Sequence, residues 1–325
     1  MPTRAGPPTR RRTVRAIVAL LCVTAIWGWT FVWMKQCLLA AADAWRGEGT
    51  TAAIGLFLSL RFGLAALLLA IGVPGSRRGL TREVWRGGGF LGGVLLAGFL
   101  LQMLGLQRIA PAVSAFLTSL YVVFAALMTT ALEKSRVKPS LLGGVLLATM
   151  GAAFIGGPPH LSFGTAEWLT IACAFVFAVH ILATDRVTRR QPPLPVTLTS
   201  FLWVTLGSLA TLALGLLGAA GPTLQMLVEL AMAPRFAVPL LFSSLLATLV
   251  AITLINVYQR DIDPVRAAVL YALEPVWTSI IAISIGLGEP GIWLCVGGGA
   301  VLAGNLVAEL GALRSRNGAA VRNGA

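Results

Sequence analysis

The chain has 325 residues, of which 57% are hydrophobic and 11% are charged, with a mean hydropathy of +0.85. About a quarter of the residues of an ordinary soluble domain are charged, so this composition excludes a water-soluble fold of this length. The net charge of +13 does not indicate nucleic-acid binding, because the basic residues are dispersed over short connectors between apolar blocks. The composition predicts an all-α integral membrane protein that lies in a lipid bilayer.

Ten apolar segments approach the roughly 20 residues that an α-helix needs to cross a bilayer. The longest connector, between the seventh and eighth segments, contains TLQMLVELAMA (223–233), which we predict to be a small helix along the membrane interface. The predicted transmembrane helices are 16–36, 52–73, 87–107, 110–131, 140–157, 165–184, 196–218, 236–257, 266–288 and 290–310.

The first of these segments also has features of a secretory signal peptide, with a basic start and an apolar core. The apolar run from Ala16 to Met34 is longer than the core of a typical signal peptide, and further apolar segments follow it. We therefore expect an uncleaved first transmembrane helix.

The distribution of basic residues predicts the orientation of the chain. Most of the 25 lysines and arginines fall on connectors that lie on the same side as the N-terminus. By the positive-inside rule, both termini are cytoplasmic, as a basic tail at 1–13 and a second tail at 312–325. The expected location is the cytoplasmic (inner) membrane.

An internal repeat appears when the sequence is shifted by 153 residues. The matches at this shift include Pro111 with Pro264, Gly144 with Gly297, and Gly151 with Gly304. The repeats would span 14–158 and 159–311, with five transmembrane helices each. Because five is odd, the two repeats would insert with opposite orientation, which is the inverted-repeat plan of many secondary transporters.

Five segments resemble, in order, the signatures of the EamA family in the drug/metabolite transporter superfamily. In the first, Trp27-Gly28 is followed by Lys35; the second has an embedded Arg61; the last carries Glu274 and Pro275. The segments are AIWGWTFVWMKQCL (25–38), SLRFGLAALLLA (59–70), AFLTSLYVVFAALM (115–128), FAVHILATDRV (177–187) and LEPVWTSIIAISIGLGEP (273–290).

This resemblance implies a ten-helix secondary carrier that exports an amino acid, another small metabolite or a toxic organic compound. The fourth segment departs from the ninth, because it has Tyr121-Val122 where the ninth has Glu274-Pro275. A mechanism with two symmetric carboxylates is therefore not expected.

Glu274 is the only charged residue between Ala267 and Gly288. An ionised carboxylate at this depth is costly, and Pro275 beside it removes a backbone donor and can kink the helix. Two interpretations stay open: Glu274 contacts a cationic group of the substrate or carries a coupling proton, or it makes a structural hydrogen bond or ion pair.

Arg61 lies near the middle of the second predicted transmembrane helix, where a charged side chain must find a partner. It can bind a carboxylate of the substrate. Alternatively, it can form a fixed structural pair, for which Glu274 is the obvious candidate.

Two residues of the first helix are further candidates for the transport path. Lys35 lies at the outer end of the helix, and the favoured interpretation is that its ammonium extends to the lipid headgroups. Trp27 either belongs to an interfacial aromatic belt or is deep enough to line a cavity.

Three polar side chains within other predicted transmembrane helices complete the candidates. The hydroxyls of Tyr121 and Tyr271 can contact a substrate or make buried structural hydrogen bonds. Asn305 can do the same, or it can hold helices together through a hydrogen bond.

The sequence offers no nucleotide, metal or cofactor motif. It contains no Gly-Lys dipeptide and therefore no P-loop, and its four cysteines are isolated and read as apolar packing residues. The alternative of a membrane-embedded enzyme, such as a lipid or isoprenoid transferase, needs clustered acids or histidines. The pair Asp261 and Asp263 is better explained as a helix cap.

Overall fold

The structure is a computed structural model of the full chain. It describes residues 10–132, 139–154, 163–188, 190–218, 222–251, 254, 258, 270–271 and 273–322. Pro264 of the predicted repeat and the pair Asp261 and Asp263 lie outside these residues.

The described chain is helical. Its α-helices are α1 (Arg10–Ala44), α2 (Thr50–Gly72), α3 (Arg82–Leu106), α4 (Pro111–Thr118), α5 (Tyr121–Leu132), α6 (Pro139–Phe154), α7 (Thr165–Thr188), α8 (Pro193–Leu216), α9 (Leu224–Met232), α10 (Pro234–Phe242), α11 (Glu274–Ser284) and α12 (Ile292–Arg322). A π-helical segment, Ser243–Val250, continues α10.

Six helical stretches among the described residues are long and apolar enough to cross a membrane: α1, α2, α3, α4 with α5, α7 and α8. A seventh is formed if α9 and the stretch Pro234–Val250, which are bent by 66°, count as one. Shorter apolar helical stretches, Leu142–Ala152 and Ile292–Val307, lie in α6 and α12. These lengths and compositions support an integral membrane protein.

The connector predicted to form a small helix does so. The hydroxyl of Thr223 accepts a hydrogen bond from the amide of Met226 at 3.3 Å and thereby caps α9. Pro234 then starts α10 in the first turn, where the missing amide hydrogen costs no helical hydrogen bond. The sharp bend between α9 and α10 separates the small helix from the helix that follows.

The helices α6 and α12 cross at the glycines that match in the predicted repeat. A Cβ atom on Gly151 would lie 2.6 Å from the carbonyl oxygen of Gly297, and one on Gly304 would lie 2.6 Å from that of Gly144. The two backbones therefore touch, as small residues at such crossings allow. The two contacts are equivalent under the shift of 153 residues, because Gly151 corresponds to Gly304 and Gly297 corresponds to Gly144.

A second crossing, between α2 and α8, has the same reciprocal pattern. A Cβ atom on Gly55 would collide with the backbone of Leu212, and one on Gly215 would collide with the backbone of Ala52. Positions 52 and 55 precede positions 212 and 215 by 160 residues each, seven more than the shift of 153 residues that relates the glycines of α6 and α12. Each side of this crossing is therefore the counterpart of the other.

The first helix lies at the centre of the described structure. It packs against α2, α4, α10 and α11, and against the π-helical segment. The largest apolar core lies along it and includes the fully buried side chains of Met34, Phe57 and Phe236. This position lets α1 bring together residues from both halves of the chain.

The fourth predicted transmembrane helix is broken, contrary to the continuous helix expected from its sequence. The break falls at Ser119 and Leu120, where the amide of Leu120 bonds to the carbonyl of Leu117 at 3.2 Å, one residue short of the α-helical partner. Tyr121 then starts α5. Glu274, which is 153 residues further along the chain, starts α11 in the same way.

Candidate functional site

The candidate site lies where α1 crosses the first turn of α11. The hydroxyl of Thr278 donates to the carbonyl of Gly28 at 3.2 Å and to that of Glu274 at 3.1 Å. A Cβ atom on Gly28 would lie 2.8 Å from Cβ of Trp277, so only glycine permits this close approach. The Trp27-Gly28 pair is thereby held directly against Glu274 and its neighbours.

Trp27 connects this crossing to the segment that follows α10. Its indole Nε1 donates to the carbonyl of Ala247 at 3.1 Å, within the π-helical segment. On the other side, its ring stacks on Tyr271, with centroids 6.0 Å apart and an interplanar angle of 29°. Trp27 thus packs between two other segments of the protein, through its hydrogen bond on one side and its ring on the other.

Glu274 is the first residue of α11, and Pro275 occupies the first turn. The proline therefore does not kink a continuous helix, as expected from the sequence, but begins a new one. A carboxylate in the first turn is stabilised by the free amide groups and the helix dipole. The side chain is half-buried, and no described cation lies within ion-pair distance of it.

Arg61 is buried with 4% of its surface exposed, and it faces the π-helical segment. Its Nε donates to the hydroxyl of Thr248 at 3.3 Å. Its guanidinium carbon lies 4.9 Å from the ring centroid of Phe99 and 5.5 Å from that of Phe62. Nη1 is buried and has no hydrogen-bond partner among the described residues. Of the two interpretations of Arg61, the structural pair with Glu274 is not formed, since the contacts of the guanidinium among the described residues are with Thr248, Phe62 and Phe99.

The π-helical segment joins Arg61 to Trp27. The hydroxyl of Thr248 donates to the carbonyl of Ser243, five residues earlier, at 3.2 Å. Its neighbour Ala247 accepts the hydrogen bond from Trp27. Single-turn π-helical stretches often occur at functional sites, because they widen the backbone and expose polar groups. Here two adjacent residues of the segment bind two candidate side chains.

Lys35 does not extend to the lipid headgroups, and the favoured interpretation was wrong. Its ammonium donates to the carbonyls of Leu106 at 2.8 Å, Gln107 at 2.9 Å and Ile109 at 3.1 Å. The last carbonyls of α3 have no amide partners of their own, so a cation that reaches them is more favourable there than in the headgroup region. Lys35 therefore joins α1 to the connector between α3 and α4.

Asn305 and Tyr121 lie together at the break between α4 and α5, apart from the Trp27 contacts. Asn305 donates from Nδ2 to the hydroxyl of Ser119 at 2.9 Å. Tyr121 is half-buried and packs in the core that α4, α5, α6, α7 and α12 share. Because α4 also packs against α1 and α11, the two broken helices are neighbours.

An open groove of about 770 Å³ lies between α1 and α10. One wall carries a row of stacked rings, in which Trp29 lies 5.8 Å from Trp33, and Trp33 lies 5.7 Å from Phe242. Its outer end carries the exposed ion pair of Asp43 and Arg235, at 3.2 Å. The volume is within the range of small-molecule sites.

Sequence reasoning missed two residues of this site, Thr248 and Thr278. Both are buried, and both donate hydrogen bonds to backbone carbonyls while touching a candidate residue. The available signal was the presence of hydroxyl side chains within apolar segments. That signal is weak, because such hydroxyls often bond only to their own helix.

The long apolar helices are those of a polytopic membrane protein, and comparison with known proteins points to a membrane transporter. A model of the EamA-like transporter family matches residues 14–157. Over these residues the chain is similar to the EamA-like transporter family, in agreement with the resemblance found in its sequence motifs.

One relative and one solved structure extend the match to most of the chain. A protein from Archaeoglobus fulgidus named as an uncharacterized transporter is 26% identical over 272 residues, which cover 83% of this chain and 78% of that protein. A crystal structure aligns with a TM-score of 0.53 at 20% identity, over 90% of this chain and 98% of the other. At that identity the crystal structure shows a shared fold alone.

Proposed function

We propose that the protein is a secondary active transporter that exports a small organic solute across the cytoplasmic membrane by alternating access. The observation that carries this proposal is the start of α11 at Glu274, which packs against Gly28 of the long apolar helix α1. Discontinuous helices with a polar group at the break are how secondary carriers form their binding sites.

The proposal includes two inverted five-helix repeats, 14–158 and 159–311, with both termini cytoplasmic. The reciprocal glycine contacts of α6 with α12 and of α2 with α8 support it, because a two-fold axis between repeats produces such pairs. The breaks before Tyr121 and Glu274, at the same shift of 153 residues, support it further.

In this mechanism the site lies between α1, α2, the π-helical segment and α11. Trp27 and Tyr271 supply aromatic surface for the solute, and Glu274 carries a coupling proton. One repeat rocks against the other, so that the site opens to each side of the membrane in turn.

The test compares the metabolites in the medium of cells that express the wild-type chain, Glu274→Gln or no chain. Glu274→Gln keeps the shape of the side chain and removes its charge. Glu229→Gln is the matched control, because Glu229 is exposed on α9 and bonds only to Gln225 among the described residues. All variants are compared at equal amounts in the membrane.

The expected result is that one class of compound accumulates outside with the wild-type chain and with Glu229→Gln, and not with Glu274→Gln. Identical media from wild-type and empty-vector cells would contradict export. Normal export by Glu274→Gln across a range of pH would contradict proton transfer at Glu274 and leave the export itself in place.

The family match and the name of the archaeal relative point to a transporter rather than to a membrane-embedded transferase. Within the described ranges no group of three or more acidic, histidine or cysteine side chains is placed to hold a metal ion.

A further inference from the structure

The buried guanidinium of Arg61 has no anionic partner among the residues that the structure describes. A charge removed from water needs pairing, and cation–π contacts with Phe62 and Phe99 compensate only part of that cost. An arginine near the middle of a transmembrane helix costs about 2.5–3.5 kcal/mol even on the mildest insertion scales. Such a group is kept where an anion binds.

One edge of the guanidinium makes a hydrogen bond, and the nitrogen Nη1 at another edge makes none with the described residues. Its Nε donates to Thr248, and the two phenylalanine rings fix the position of the plane. Nη1 carries buried N–H groups for which the described part of the chain supplies no acceptor. A planar guanidinium in this state is prepared to donate to the oxygens of a carboxylate or a phosphate.

The helix that carries Arg61 packs against α8 and against the π-helical segment. Its contact with α8 includes a direct approach of the two backbones, at Gly55 and Leu212. The guanidinium itself faces the π-helical segment, where Thr248 bonds five residues back along the chain. A shift of this segment toward α-helical geometry would move Thr248 and admit an anion to the free edge of Arg61.

We propose that the transported solute carries an oxyanion, a carboxylate or a phosphate, that binds the free edge of Arg61. This inference rests on the proposed export function and names the chemical class of its substrate. Arg61 then takes the anionic group, and Glu274 stays available for the coupling proton.

The test identifies, by mass spectrometry, the compounds whose accumulation in the medium depends on the wild-type chain. The expected compounds carry a carboxylate or a phosphate. Their identity shows which of these two groups the solute presents to Arg61. Exported compounds that lack both groups would overturn the inference and leave the export function standing. Media that match the empty vector would overturn the export function, and this inference with it.

Two variants at Arg61 and one control complete the test. Arg61→Lys keeps the charge and loses the planar fork, and we expect it to raise the solute concentration for half-maximal export about 10- to 100-fold. Arg61→Met should abolish export of the oxyanion. Arg108→Met, an exposed arginine on the connector after α3, should export normally. A variant Arg61→Lys that folds and exports with wild-type concentration dependence would contradict the assignment.

Discussion

Asn305 on α12 donates a hydrogen bond from Nδ2 to the hydroxyl of Ser119 at 2.9 Å, at the break between α4 and α5. The hydroxyl of Ser119 in turn donates to the carbonyl of Phe116 at 2.7 Å. Because that hydroxyl hydrogen is used, Ser119 can only accept from Asn305, which fixes the orientation of the amide. A polar bond from the last helix therefore holds the broken fourth helix in place.

Asn305→Ala should destabilise the protein by about 1–2 kcal/mol, because it removes a buried hydrogen bond between helices. Thermal unfolding of the purified protein in detergent measures the change. Ser119→Ala should cost a similar amount, and the double variant should cost little more than either single one, because both remove the same bond. Full additivity of the two changes would show that the residues stabilise the protein independently.

The glycine crossing of α6 and α12 gives a second prediction. Gly151→Leu should prevent the two helices from closing, because even a Cβ atom there would lie 2.6 Å from the carbonyl oxygen of Gly297. We expect a loss of several kcal/mol, as for overpacking of a rigid contact, and little folded protein after size-exclusion chromatography. Gly304→Leu should have the same effect.

Matched controls for this prediction lie on the same two helices. Gly143 on α6 and Gly299 on α12 have no atom within 4 Å of a built Cβ. Gly143→Leu and Gly299→Leu should therefore leave the yield of folded protein close to that of the wild type. A loss of folded protein with these controls as large as with Gly151→Leu would attribute the effect to helix propensity or lipid contact rather than to the crossing.

The sequence predicted the helical class, the resemblance to the EamA family and the small helix before α10, because apolar blocks and short motifs are local features of the chain. It did not predict the break at Ser119, since no proline or glycine marks it and the bond that holds it comes from Asn305, 186 residues away. Tertiary hydrogen bonds of this kind have no local signal in the chain.

The sequence predicted only part of the candidate site, because it indicates unusual residues but not the residues that they contact. The sequence named Trp27, Tyr271 and Glu274 as candidates, because each is unusual for its segment, but it did not predict the stacking of Trp27 on Tyr271. The partners of Arg61 and Lys35 were not predicted, because a hydroxyl of the π-helical segment and the end of α3 became visible only when the helices were packed. A charge in an apolar helix signals that a partner exists and does not signal which group it is.

Lys35→Met should loosen the attachment of α1 to the connector after α3. The methionine keeps the apolar stem and removes all three donors, which leaves the carbonyls of Leu106, Gln107 and Ile109 without that cation. We expect a loss of about 2–4 kcal/mol, since hydrogen bonds from charged groups contribute more than neutral ones. Thermal unfolding measures the stability, and export of the identified solute measures the function.

Arg108→Met is the control for Lys35→Met, because it removes a positive charge from the same connector on an exposed side chain. It should change the stability by less than about 0.5 kcal/mol. A lysine that only reached the headgroups would give Lys35→Met the same small effect as Arg108→Met, so equal values would contradict the capping role.

Trp27→Phe should lower export while the fold is retained. Phenylalanine keeps the ring that stacks on Tyr271 but has no indole nitrogen to donate to Ala247 in the π-helical segment. We expect the rate of export to fall about fivefold, which corresponds to a hydrogen bond of roughly 1 kcal/mol. Trp29→Phe is the matched control, because Trp29 lies two residues away and stacks in the open groove instead. Equal losses for the two variants would place the transport path along the groove, and a loss confined to Trp27→Phe would place it between α1, α11 and the π-helical segment.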